Sequence, residues 1–91
     1  MPLTTSQKKQ LRTQAHNLKP IVTTGNAGLT DAVLAEIELA LDYHELIKVK
    51  VRVGDREERK QMIETIQKKT GAEIIQSIGQ IVALYRENSD Q

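Results

Sequence analysis

The chain contains no cysteine, no tryptophan and no phenylalanine, and each absence limits what the protein can do. Without cysteine it can form neither a disulfide framework nor a thiolate site. Apart from histidine, Tyr43 and Tyr85 are its only aromatic residues, so it lacks the set of exposed rings with which many proteins stack on nucleic-acid bases. Residues 1–10 lack the apolar run of a signal peptide, and no segment approaches the roughly 18 apolar residues of a membrane span. We therefore expect a cytoplasmic protein with no membrane partner.

One domain accounts for the whole length of 91 residues, because a chain of this size has room for a single hydrophobic core. We assign residues 1–91 to that domain and expect the polar residues 86–91 to form a flexible tail. The formal net charge is only +1, yet residues 1–28 carry lysine and arginine and no acid, whereas residues 29–47 carry acids and no lysine or arginine. Charges sorted in this way favour a charged partner.

Hydrophobic periodicity and capping residues predict three helices. They are expected over residues 4–19, 30–44 and 55–70. The first should open with a capping box at Thr4 and the third with a capping box at Asp55, because each of these residues is followed three positions later by Gln or Glu.

Four β-branched or alternating segments predict strands over residues 21–24, 46–53, 72–78 and 81–85. The resulting α-β-α-β-α-β-β order is typical of an α/β fold, here a single domain with a four-stranded mixed sheet and helices packed on it. Because helices connect the first three strands, we expect mostly parallel pairing, with the terminal hairpin adding one antiparallel strand.

A glycine-rich loop between the first strand and the second helix is the first candidate site. Its two glycines allow a sharp turn without Cβ atoms, and the helix that follows offers unpaired amides and the positive end of its dipole. Such a loop can bind phosphate, although a short glycine-rich turn is often only a connection. The candidate binding residues in this loop are Gly25, Asn26, Ala27 and Gly28.

Two sets of bases could supply positive charge beside this loop. On the first helix, a basic stripe lies next to the apolar one and consists of Lys8, Arg12, His16 and Lys19. On the strand over residues 46–53, one face is apolar and the other offers Lys48, Lys50 and Arg52. If all three helices cover the apolar face, the basic face stays open to solvent. Either set could instead be an ordinary solvated surface.

Several segments together resemble the CRM domain, named for chloroplast RNA splicing and ribosome maturation, in its stand-alone bacterial form, the YhbY family. These segments are Gly25–Thr30, His44–Val51, Asp55–Glu58 and Ile78–Arg86. The resemblance covers nearly the whole chain. It implies an RNA-binding α/β fold like that of the C-terminal domain of translation initiation factor 3. It also implies a glycine loop that acts like the Gly-x-x-Gly loop of KH domains, which clamps the nucleotide backbone. Related loops often carry a base between the glycines, whereas this chain has Asn26-Ala27.

The resemblance further implies association with precursors of the large ribosomal subunit. We therefore predict an RNA-binding ribosome-assembly factor whose partner is precursor large-subunit ribosomal RNA, with ribosomal proteins as further partners. We expect no small-molecule substrate, no cofactor and no metal. If every lysine and arginine of the two basic sets neutralised one phosphate, binding to a single strand would weaken with a slope of about −4 in log K against log salt.

Two other functions remain open from the residues. A ribonuclease could use His16 and His44 as an acid–base pair, but the chain has no recognisable nucleophile or metal-ligand spacing, so we expect no catalysis. An adaptor could bind a basic ribosomal protein through the acidic face of the second helix, which is formed by Asp31, Glu38, Asp42 and Glu45.

Overall fold

The computed structural model describes residues 3–25 and 27–87. The elements are α1 (Thr5–Ala15), β1 (Val22–Thr23), α2 (Asp31–His44), β2 (Leu46–Lys50), α3 (Arg56–Thr70), β3 (Glu73–Ile78) and β4 (Ile81–Tyr85). The predicted order and the four-stranded mixed sheet are thus confirmed. Residues 88–91 of the predicted flexible tail lie outside the described residues.

The strands pair in the order β1-β2-β4-β3, with β1 parallel to β2 and the other two pairs antiparallel. The expectation of mostly parallel pairing is therefore wrong. The crossover through α3 does return β3 in the direction of β2, since both strands are antiparallel to β4. The hairpin strand β4 lies between them: it pairs with β3 across a two-residue turn on one edge and with β2 on the other.

Helix α1 begins as predicted and ends earlier. The Thr4 capping box forms, with the Gln7 amide 3.1 Å from Thr4 Oγ1 and the Thr4 amide 2.9 Å from Gln7 Oε1. The helix ends at Ala15, although the basic stripe was predicted to continue on it as far as Lys19. After Ala15 the backbone tightens into bonds that span three residues, a common way for a helix to end. Lys19 consequently lies beyond the helix.

The other two helices begin at predicted caps. Thr30 Oγ1 accepts the Val33 amide at 3.2 Å at the start of α2. At the start of α3, Asp55 Oδ1 accepts the Glu57 amide at 3.2 Å. A capping box would use the amide of Glu58, one residue later, so Asp55 caps the helix through a different bond from the one predicted. Gly71 ends α3 in the left-handed conformation at φ 72°, as glycine commonly does at that position.

The helices pack on both faces of the sheet, and each face has its own apolar cluster. Helices α2 and α3 cover the face that carries the main core, whose fully buried members include Ile37, Leu41, Ile47, Val49, Val51, Ile66, Val82 and Leu84. Helix α1 covers one end of the opposite face, where its Ala15 packs with Leu46, Ile75 and Ala83 of the sheet. The face with the strand lysines is therefore half covered, and only the end away from α1 is open.

Strand β2 stops at Lys50, three residues before the predicted end at Val53. The ladder ends there because β1 and β4 both stop opposite Lys50. The Val51 amide bonds to the Gln80 carbonyl at 2.7 Å instead, and Val51 remains buried in the core. Residues beyond Lys50 are thus held by loops.

Arg86, just after β4, joins α2, α3 and the sheet. Its guanidinium donates to both carboxylate oxygens of Glu38 at 3.0 Å, to Asp42 Oδ1 at 2.8 Å and to the Thr70 carbonyl at 2.8 Å. Its amide donates to the Glu45 carbonyl at 2.9 Å. Charge-assisted bonds are among the stronger polar contacts in proteins, although water reaches the Glu38 and Asp42 side chains, which are 43% and 61% exposed. We call this group the Arg86 cluster.

Arg86→Met should lower the free energy of unfolding by about 2 kcal/mol, because the carboxylates of Glu38 and Asp42 and the Thr70 carbonyl lose a charged donor while the apolar stem is kept. Urea unfolding followed by far-ultraviolet circular dichroism measures this. The matched control is Arg56→Met at an exposed position, which should change stability by less than about 0.5 kcal/mol. Equal stabilities of the two variants would contradict the structural role of Arg86.

Candidate nucleic-acid interface

The glycine loop, residues 25–28, forms a tight turn between β1 and α2. The Gly28 amide donates to the Gly25 carbonyl at 3.0 Å, which closes the turn. Gly28 has φ 76°, where a side chain would be strained, whereas Gly25 has no such conformation and no heavy atom within 4 Å of a Cβ built on it. The turn therefore requires glycine at position 28 but not at position 25. Asn26 lies outside the described residues, and its predicted contact with RNA remains a prediction.

Thr24 fixes the start of the loop to the end of β2. Its side chain is fully buried at 0% exposure, and its Oγ1 accepts the Arg52 amide at 2.9 Å. Its own amide donates to the Lys50 carbonyl at 3.0 Å. Since α2 starts from the Thr30 cap on the far side, both ends of the loop are held by hydrogen bonds.

This anchor places Arg52 beside the glycine loop. A depression of about 220 Å³ lies there, lined by Thr24, Gly25, Arg52, Val53, Gly54 and Gln80. Arg52 is exposed at its rim. An exposed guanidinium next to a backbone turn with no Cβ is an arrangement that can hold a phosphate group. The structure thus brings together Gly25 and Arg52, which were predicted from separate motifs.

Lys48 and Lys50 extend the positive charge from the loop across the open part of the sheet. Both are half-buried on the face opposite the main core. Lys50 lies opposite Thr23, one residue from Thr24, and Lys48 lies two residues further from the loop. We call the surface around Lys48 and Lys50, on the side of β2 opposite the main core, the cationic sheet face.

His16 and Lys19 reach this face from the end of α1. Lys19 and Lys48 line one groove, together with Leu18, Ile21 and His44 among others. His16 and Lys48 line a second, smaller depression. The two histidines therefore lie in different depressions, which does not favour an acid–base pair. Among residues 3–25 and 27–87, no group of three or more side chains is placed to hold a metal ion, and no helix is long and apolar enough to cross a membrane.

Lys8 lies at the other end of the sheet, and Arg12 is in the last turn of α1. Lys8 Nζ is 4.0 Å from Glu73 Oε2, with both side chains 40% exposed. Glu73 on β3 pairs with Tyr85 on β4, which in turn pairs with Leu46 at the start of β2. Leu46 is four residues before Lys50, a distance of about 13 Å along the strand at about 3.3 Å per residue. The predicted basic residues consequently form an extended track and do not converge on the loop.

The acidic face of α2 is partly committed to the fold. Glu38 and Asp42 are partners in the Arg86 cluster, and Glu45 forms the C-cap of α2 with an uncommon φ of 62°. Sequence reasoning missed this use because the contact joins residues 48 positions apart. It also missed Thr24 and Gln80, which are single polar residues at element ends and carry no periodic signal.

The chain is similar to known proteins over nearly its whole length. The model of the CRS1 / YhbY (CRM) domain matches residues 3–86. An RNA-binding protein of Haemophilus influenzae is 50% identical over 88 residues, covering 97% of this chain and 89% of the relative. The probable RNA-binding protein YqeI of Bacillus subtilis is 36% identical over 88 residues, covering 97% of this chain and 92% of the relative.

A solved structure shows the same fold. The solution structure of a Staphylococcus aureus protein that is regarded as an RNA-binding candidate superimposes with a TM-score of 0.84 at 36% identity. The match covers 98% of this chain and 93% of that one. The fold predicted from the sequence is therefore shared with a structure determined for a protein of Staphylococcus aureus.

Thr24→Val should destabilise the protein by about 1 kcal/mol, because the part-buried Arg52 amide loses its acceptor while the side-chain volume is kept. Thr23→Val is the matched control, since Thr23 is exposed on the neighbouring position. Urea unfolding compares the two variants, and hydrogen exchange at the Arg52 amide should accelerate only in Thr24→Val. An unchanged exchange rate would show that the bond does not hold the loop.

Proposed function

The chain belongs to the CRS1 / YhbY (CRM) domain family, and we propose that it binds RNA through the glycine loop and the cationic sheet face. The names of its relatives, which are RNA-binding or probable RNA-binding proteins, support the class of partner. The observation that carries the mechanism is the position of Arg52, held beside Gly25 by the Thr24 hydrogen bond.

In this proposal a sugar-phosphate backbone crosses the loop at Gly25. The exposed Gly25 has open space where a Cβ would lie, so the RNA backbone can approach the protein backbone closely. Arg52 then neutralises a phosphate at the loop, and Lys50 and Lys48 meet the following phosphates along the sheet. Contacts of this kind position the RNA and supply affinity without reading base identity.

The specific RNA that we propose is precursor large-subunit ribosomal RNA, and the role is assistance to ribosome assembly in the cytoplasm, without catalysis. The resemblance of the loop and of the segment His44–Val51 to stand-alone bacterial CRM proteins supports this assignment. The protein would act by holding a folded or unfolded RNA segment during maturation, which requires binding and release only.

Ala27→Asp should weaken binding to large-subunit precursor RNA by about tenfold or more, because it places an anion in the exposed part of the loop where a phosphate would lie. Gly25→Ala should also weaken binding while leaving stability unchanged, since the turn does not need glycine there. The control Ala35→Asp adds the same charge on the exposed surface of α2. Affinity is measured by fluorescence anisotropy across a salt series.

The native protein should show a slope between about −3 and −4 in log K against log salt, as expected for four to six phosphate contacts. If Ala27→Asp and Ala35→Asp bind equally well, the loop is only a connection between β1 and α2. If the native protein binds precursor RNA no better than an unrelated RNA of equal length, the ribosomal assignment is wrong.

A second candidate function is contact with a basic ribosomal protein through α2. Leu39 and Tyr43 are one turn apart on this helix and are 60% and 78% exposed, beside the exposed Glu36. Exposed apolar side chains among acids suit a partner segment that is both apolar and basic. This supports an interaction surface, although a smaller one than the acidic face predicted from the sequence.

Replacing Leu39 and Tyr43 by alanine should reduce co-sedimentation of the protein with precursor ribosomal particles while its affinity for free RNA stays unchanged. The control replaces Glu64 and Lys68 by alanine, an exposed pair at the same spacing on α3. Charge reversal of Glu38 is not suitable, because it would also break the Arg86 cluster. Equal co-sedimentation of the two double variants would exclude the α2 contact.

A further inference from the structure

A small depression lies on the cationic sheet face next to the end of α1. It encloses about 170 Å³ and is lined by His16, Lys48, Gln76, Ile78, Ile81 and Ala83. Ala83 forms its floor and is itself buried. Because Lys48 and Gln76 lie opposite Ala83 on the two neighbouring strands, the short alanine side chain leaves a hollow between two long ones. We call this hollow the cup.

A bulge in β3 gives the cup its polar wall. The register between β3 and β4 shifts between Ile74 and Gln76, so Ile75 is the extra residue. Ile75 packs with Ala83 under α1, while Gln76 lines the cup on the same side of the sheet. In a regular strand these two neighbours would point to opposite faces. Bulges commonly redirect a side chain beside a functional site.

The lining combines apolar surface with hydrogen-bonding groups. Ile78 is 62% exposed, and Ile81 lies beside it. The Gln76 amide can both donate and accept, and His16 adds a ring with two nitrogens. Among the described residues, the Gln76 and His16 side chains make no hydrogen bond within the protein. Their polar groups are therefore available to a ligand.

We propose that the cup binds one unstacked nucleobase of the RNA, which adds a single-strand requirement to the proposed function on which it rests. A nucleobase has an apolar face that fits Ile78 and Ile81, and a polar edge that the Gln76 amide can pair with. The cup is smaller than the roughly 300–1,000 Å³ pockets of drug-sized ligands and cofactors, so one ring system is the ligand that fits.

The surroundings of the cup favour a nucleotide over a free base. Lys48 forms part of its wall, and Lys50 lies two residues along β2, opposite Ile81. Both ammonium groups are therefore placed to meet phosphates on either side of the bound base. The strand continues towards Arg52 and the glycine loop, where the next part of the backbone would bind. In a regular RNA helix the bases are stacked and cannot enter such a hollow.

The test uses a single-stranded RNA oligonucleotide, the same strand annealed to its complement, and four single-stranded homopolymers of adenosine, cytidine, guanosine or uridine. The native protein should bind the single strand about tenfold more tightly than the duplex, and the best homopolymer about tenfold more tightly than the worst. Gln76→Met should remove most of the difference among homopolymers, and Ile78→Ala should weaken binding to all single strands. Neither should change the salt slope, because neither removes a charge.

Gln61→Met on α3 is the matched control and should behave as the native protein does. If Gln76→Met and Ile78→Ala bind every RNA as the native protein does, with the same steep salt slope, the cup does not bind a base and the proposed binding of the RNA backbone stands. If the native protein binds no RNA with a measurable salt slope, both the cup and the proposed function are wrong.

Discussion

The alternation of side chains along β2 is the constraint on which the rest of the structure depends. Ile47 and Val49 are enclosed by α2, α3 and the neighbouring strands, so Lys48 and Lys50 must point to the opposite face. A shift of the register by one residue would bury both lysines and expose the core residues, and an unpaired buried ammonium is very costly. The same apolar residues that stabilise the sheet therefore also fix the positions of the charges proposed to bind RNA.

Hydrogen bonds at the end of β2 hold the start of the glycine loop in place. Beyond Lys50 no strand neighbour remains, and the Arg52 amide bonds to the buried Thr24 side chain instead. Because Thr24 directly precedes Gly25, this hydrogen bond links the start of the loop to Arg52. Segments that are held before binding lose less conformational entropy when a ligand is met. The hydrogen bonds of Thr24 and Thr30, on either side of the loop, would therefore favour the proposed binding of RNA there.

Local features of the sequence were predicted well, and features that depend on distant residues were not. The Thr4 capping box, the Thr30 cap and the apolar face of β2 follow from spacing alone. The central place of β4 could not be read from its sequence, since pairing on both edges depends on the whole sheet. The Arg86 cluster joins residues far apart in the chain, and the role of Gln76 depends on a bulge that no composition rule indicates.

Affinity and selectivity have different physical origins on this surface. Every nucleotide carries the same phosphate, so a track of lysines and arginines alone would bind many registers of the RNA with similar strength. A hollow that accepts one base favours those positions of the RNA along the surface in which an unstacked base lies at the hollow, over those in which that base is paired. Gln76 faces the cup because of a single extra residue in β3. Selection of a single-stranded segment would therefore rest on the irregularity of one edge strand, while the regular strand β2 supplies the charge.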